Sequence, residues 1–187
     1  MSDRRAVIRR ERKERAKAEK NKSANGKMMR AAEHGKMDGR AISFCVIANL
    51  LYDLHGFRTK RISEFMEKCN KEAARSEQAG LQFVIKSYAD KLMERINKEN
   101  VTAEPTSIEE SVYLNQRDIY YVSSVALMLT VLNDDYGMAS NSKNTGRLDT
   151  LMEYCTNEYV KLQLDPKGHN IDWYTKQTTE KTGIIFR

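Results

Sequence analysis

Two stretches of this chain repeat one pattern, and the pattern describes a helix that stops and starts again. The first reads Leu51-Tyr52-Asp53-Leu54-His55-Gly56, then Arg61-Ile62-Ser63-Glu64-Phe65-Met66-Glu67-Lys68-Cys69-Asn70-Lys71-Glu72. The second reads Leu132-Asn133-Asp134-Asp135-Tyr136-Gly137, then Arg147-Leu148-Asp149-Thr150-Leu151-Met152-Glu153-Tyr154-Cys155-Thr156-Asn157-Glu158. Both carry L-x-D-x-x-G followed by R-[I/L]-x-x-[F/L]-M-E-x-C-x-x-E. An apolar run precedes each glycine, at 41–54 and at 119–132. Glycine suits the left-handed residue that ends a helix. After the first stop, Ile62, Phe65, Met66, Cys69 and Ala73 recur at helical spacing on one face. The pattern predicts two copies of a helix-turn-helix hairpin, about 41–75 and 119–162, packed through their apolar first helices about a pseudo-two-fold axis.

The rest of the chain agrees with an all-α class. It holds only two prolines in 187 residues and is rich in helix formers. The net charge of +6 is unevenly placed. Residues 1–40 hold 14 Lys/Arg against 6 Asp/Glu, or +8, which leaves −2 for the remainder. The chain therefore divides into a basic N-terminal arm and linker, 1–38, and a near-neutral helical domain, 39–187. Such asymmetry points to a polyanionic partner, DNA or RNA first. The arm carries Arg4, Arg5, Arg9, Arg10, Arg12, Lys13, Arg15, Lys17, Lys20 and Lys22, interleaved with Glu11, Glu14 and Glu19. Its composition favours a helix over about 3–20 with no apolar stripe, held by a partner and labile without one. The plainer alternative is a solvated tail serving solubility. Asn21, Ser23, Asn25, Gly26, Gly35 and Gly39 read residues 21–40 as a linker with one short helix near 27–33.

Further elements follow in order. Thr59 is the expected N-cap of the helix after the first stop. Leu81, Val84, Ile85, Tyr88, Leu92, Met93 and Ile96 mark a third amphipathic helix ending near Glu99. Ser107 and Glu110 fit a capping box that opens a short helix, followed by a separate apolar helix at 119–132. Residues 137–146 read as an exposed polar loop. From Ile171 the chain reads as a helix capped by Asn170 and ended by Gly183, or as extended structure given Trp173, Tyr174, Ile184, Ile185 and Phe186.

Catalytic and metal signatures are missing from the sequence. His34, His55 and His169 stand alone, without the paired spacing of a zinc site. Asp53 and Asp134 repeat, but an aspartate before a glycine stop is commonly a local cap. No phosphate-loop, dinucleotide or nucleophile-elbow pattern occurs. Cys45, Cys69 and Cys155 lie on apolar faces and read as small buried hydrophobes in a reducing compartment. No apolar h-region opens the chain and no apolar run is long enough to span a membrane. The expectation is a protein without cofactor, metal or enzymatic activity. A turn of helix-turn-helix length at 55–58 would set Arg58, Lys60 and Arg61 at the start of a recognition helix, so a stand-alone DNA-binding regulator is one reading. An oligomerising structural or assembly protein, a homodimer included, is another.

A basic N-terminus on a compact helical body resembles the small accessory proteins of bacteriophages and mobile elements. Leu54-His55-Gly56-Phe57-Arg58-Thr59-Lys60-Arg61-Ile62-Ser63-Glu64-Phe65 is similar to a helix–Gly-Phe–Lys-Arg–helix pattern in such proteins. The whole most resembles the type II-A anti-CRISPR class, inhibitors of Cas9. That resemblance implies a phage protein acting in the bacterial host cytoplasm on the Cas9–guide RNA complex or its DNA engagement. It carries no residue-level motif, so it assigns no site.

Overall fold

The computed structural model describes the backbone of residues 2–79, 82–138 and 145–185, and side chains within 22–75, 86–138 and 146–185. Among these residues the fold is all-α, in six helices: α1 Ser2–His55, α2 Thr59–Ala79, α3 Gln82–Glu99, α4 Ile108–Tyr136, α5 Thr145–Leu164 and α6 Ile171–Thr182. Residues 139–144, most of the loop expected between the second glycine stop and Arg147, lie outside the described residues.

Two expectations are corrected at once. The linker expected at 21–40 is helix, and α1 runs unbroken to His55. Likewise α4 is one helix of 29 residues, where a short helix and a separate apolar helix were expected. The reason lies in how the two pack. Gly35 and Gly39 are buried against α4, and a Cβ added to either would stand 2.2 Å from a main-chain oxygen, that of Tyr113 or of Arg117. Glycine weakens an isolated helix by about 1 kcal/mol, but here it permits a backbone approach that no other residue allows. The Tyr113 hydroxyl donates to Asp38 at 2.7 Å across the same contact. Of the three glycines inside α1, Gly26 alone has open space around it.

Contacts pair Gly35 with Tyr113, Gly39 with Arg117 and Phe57 with Tyr136, so α1 and α4 run parallel in constant register. They form the centre of the molecule. Around this pair, α3 packs on α4 and α6 on α1. The second helices also cross, α2 leaning on α4 and α5 on α1 more than on the helix each follows. The core between them includes Ile42, Cys45, Ile47, Leu50 and Leu51 of α1, Val125, Met128 and Leu129 of α4, and Ile62, Phe65, Leu92, Leu151 and Cys155 around them. Each such side chain, fully buried, contributes about 1.5–3 kcal/mol of transfer free energy.

The helix ends follow their local chemistry. Ser107 caps α4 by accepting the Glu110 N–H at 3.1 Å. The Glu110 carboxylate answers Thr106, taking its N–H at 2.6 Å and its hydroxyl, in place of the Ser107 N–H that a capping box would use. Asn170 caps α6 and Gly183, at φ 72°, ends it, so the C-terminal segment is helical through Thr182 and the extended alternative falls.

One polar cluster is built into the core. Arg117, with 3% of its side chain exposed, pairs with Asp118, its Nε donating at 2.9 Å. Gln163 Nε2 donates to the other Asp118 oxygen at 2.9 Å and Gln163 Oε1 accepts the Ala103 N–H at 2.9 Å. Nearby, Tyr174 donates its hydroxyl to buried Glu158 at 2.9 Å, and Lys161 reaches the same carboxylate at 2.6 Å. These groups answer one another and tie α4, α5 and α6 together.

Candidate nucleic-acid interface

The first glycine stop places a cluster of cations at the surface. Gly56 takes φ 65°, and the Phe57 N–H then bonds back to the Leu51 carbonyl at 3.0 Å. That closure turns the Phe57 ring into the core, 2% exposed, and delivers Arg58 to the outside. The Arg58 carbonyl accepts the Ile62 N–H at 3.0 Å, so Arg58 occupies the N-cap position. Thr59, expected there, donates its hydroxyl to the Thr182 carbonyl and fastens the start of α2 to the end of α6.

The second stop lies beside the first. Gly137 takes φ 62° and the Met138 N–H reaches back to Leu132 at 3.2 Å, the same closure. Parallel packing of α1 and α4 brings the two ends together, with the Tyr136 ring 5.4 Å from that of Phe57 and 5.9 Å from that of Phe65.

The cations rest on this aromatic floor. The Arg58 guanidinium lies 4.6 Å from the Tyr52 ring centre. Arg61 lies 3.9 Å from that of Phe57 and 5.6 Å from that of Tyr136, while Lys68 stands 4.8 Å over Tyr136. Together with Lys60 and Glu64 they line an open basin of about 480 Å³. Lys68 is answered by Asp135 at 3.1 Å, a hydrogen bond that raises its ammonium above the ordinary value. Arg58, Lys60 and Arg61 enter no ion pair among the described residues. The first turn of α2 carries no acid, so the positive end of its dipole adds to theirs. At the rim, His55 is held below its ordinary value by burial and by Arg147.

A guanidinium held over a ring keeps its charge. Its N–H groups, which enter no ion pair among the described residues, can meet a bidentate anion such as phosphate. Reading a base edge in the major groove needs a side chain extended from the helix, which this posture denies Arg58 and Arg61.

The arm is not gathered into this site. Side chains of Arg4, Arg5, Arg9, Arg10, Arg12, Lys13, Arg15, Lys17 and Lys20 lie outside the described residues, and Lys22 is exposed. Their backbone belongs to α1, whose far end carries the basin. At 1.5 Å per residue, Lys22 lies about 50 Å along the helix from His55 and Arg4 about 77 Å.

Sequence reasoning named Arg58, Lys60 and Arg61 as candidates but not the rings beside them. Tyr52, one and a half turns before Arg58, was within reach of local reading. Tyr136 comes from the other half and only the parallel packing reveals it. The remaining candidates have ordinary duties. Asp53 pairs with Lys181 at 2.7 Å, and Asp134 accepts from Asn133 at 2.7 Å. His169 packs on Trp173 with ring centres 4.7 Å apart. Burial pushes the Cys45 thiol up to about 11 and raises Cys69 and Cys155 as well. Among the described residues no group of three or more His, Cys, Asp or Glu is placed to hold a metal ion. Among the same residues no helix is long and apolar enough to cross a membrane. No protein-family model matches the sequence, and no curated protein or solved structure is similar to it.

Proposed function

We propose that the chain is a non-enzymatic binding protein whose partner is a nucleic acid, free or within a nucleoprotein, gripped through its phosphates. The observation that carries this reading is the set Arg58, Lys60 and Arg61, unpaired by acids while two of them are held against rings. Cations that serve stability alone are commonly answered by carboxylates, as Lys68 and Lys181 are here. The +8 of residues 1–40 supports the same partner. Contact through phosphates favours weak sequence preference, which sets this reading above a base-reading regulator. Resemblance to Cas9 inhibitors nominates one nucleoprotein, the Cas9–guide RNA complex.

Electrophoretic mobility shift at two salt concentrations tests it, using duplex DNA, single-stranded RNA and Cas9–guide RNA with its target. The intact chain should shift at least one of them, with affinity falling steeply as salt rises. Arg58→Ala with Arg61→Ala should weaken binding equally across sequences and lower the salt slope by about 2. Neutralising Arg9, Arg10, Arg12 and Lys13 to glutamine should act likewise. No shift of any probe, or binding indifferent to both sets of changes, would falsify the proposal.

A further inference from the structure

A second surface on α1 is neither core nor part of the basin. Met29, Met37 and Phe44 stand two turns apart, a stripe of about 22 Å at 1.5 Å per residue. Met29 is 75% exposed and Met37 59%, whereas Phe44 is half-buried at the mouth of a groove of about 390 Å³. The groove runs between α1, α2 and α4, with Phe44, Leu127 and Ala74 as its apolar lining. Beside it, Lys36 Nζ and the Arg40 guanidinium both lie over the Tyr120 ring, 5.3 and 5.0 Å from its centre. Neither enters an ion pair among the described residues. Among the described lining residues there is no acid, and the side chains of Asn70 and Ser124 make no hydrogen bond. The nearest described acids along the two helices, Asp38 and Glu72, are engaged elsewhere, Asp38 accepting the Tyr113 hydroxyl at 2.7 Å and Glu72 pairing with Arg75 at 3.7 Å.

We propose that this groove docks an amphipathic helix of a partner protein whose polar face is acidic. Met29 and Met37, with exposed Glu33 between them, lead along α1 into the groove, a shape that a helix fills with apolar residues at i, i+3, i+4 and i+7. Methionines let such a surface adapt to what it meets. Two ring-held cations without carboxylates select negative charge on the incoming helix. Nucleic acid is the poorer occupant, because the exposed side chains on the stripe are largely apolar. The surface is distinct from the Arg58–Arg61 basin and does not depend on the nucleic-acid reading.

The test is fluorescence anisotropy of the full chain with a labelled 18-residue amphipathic peptide, leucine on one face and glutamate elsewhere. A matched peptide bears lysine for glutamate. The acidic peptide should bind and the lysine peptide should not. Lys36→Glu with Arg40→Glu should weaken binding by about tenfold or more. Ala74→Tyr, which fills the mouth, should abolish it, and Arg58→Ala with Arg61→Ala should leave it unchanged. Circular dichroism establishes that each variant melts as the parent does. Equal binding of both peptides, no binding, or affinity unmoved by Lys36→Glu with Arg40→Glu would each overturn the proposal. So would a dimer of the chain lost on Ala74→Tyr, which would make a second copy the occupant, or displacement of the peptide by an oligonucleotide.

Discussion

Arg117 and Arg61 are the same side chain in opposite circumstances. Arg117 sits 3% exposed in the first half of α4, paired with Asp118, under the turn of α1 that carries Gly39. Arg61 sits on the surface at the far end of that helix pair, laid on Phe57 and Tyr136 with no acid partner. Burying a charge is tolerable only when it is answered, so the interior cation comes with its carboxylate and its network. Leaving a charge unanswered costs little in water, and aromatic rings fix its position without neutralising it. The pairing of one and the bareness of the other separate a charge that builds the fold from charges that the proposed function assigns to a partner.

That contrast can be broken in graded steps. Asp118→Ala strands Arg117 and should lower stability by about 3–5 kcal/mol, read as a fall in the urea midpoint. Affinity for nucleic acid, measured where the variant is still folded, should not change. Gly39→Ala forces a methyl against the Arg117 carbonyl and should cost about 1–3 kcal/mol, again by denaturant titration. Arg58→Ala with Arg61→Ala should remove about 1 kcal/mol in total from two exposed ring contacts, while cutting binding far more. Were the double variant to unfold the protein as Asp118→Ala does, the basin would be a structural feature like the Arg117 cluster. Gly26→Ala, in open space on the same helix, should act in the opposite direction. It should firm the arm by up to about 1 kcal/mol, seen as slower amide exchange in its neighbours.

The smallest effect is one of pH. Burial and Arg147 hold His55 below its ordinary value, so the unfolded chain takes up this proton more readily than the folded one. Stability from neutral His55 is fully present above the unfolded value, about 6.5, and is lost as pH falls from there toward the folded value. His55→Asn should flatten the part of the melting-temperature profile that lies below about pH 6.5.

Class and helix ends were legible because they are local. Gly56, Gly137 and Gly183 announce their left-handed turns, and Ser107 and Asn170 their caps, within a few residues. Gly35 and Gly39 misled for the same reason. Nothing near them distinguishes a glycine that breaks a helix from one that lets another helix touch it, and α4 is far away in sequence. Thr59 likewise looked like a cap because its real partner, Thr182, is distant. The three arginine and lysine positions of the basin were visible as charge. The floor beneath them was not, since Tyr136 arrives only through the parallel register of α1 and α4.

The unbroken course of α1 sets a length scale for whatever the protein holds. Lys22 and the basin are separated by about 50 Å of helix, and Arg4 and the basin by about 77 Å. At 3.4 Å per base pair, a straight duplex needs about 15 base pairs to reach from one to the other and about 23 to engage the whole arm. If the proposed function holds, shorter duplexes should bind at one end or the other, and longer ones as a bivalent ligand whose second contact is intramolecular. Affinity plotted against duplex length should therefore rise in a step, and the position of the step is a ruler reading of a helix that the glycines of residues 26–39 leave intact.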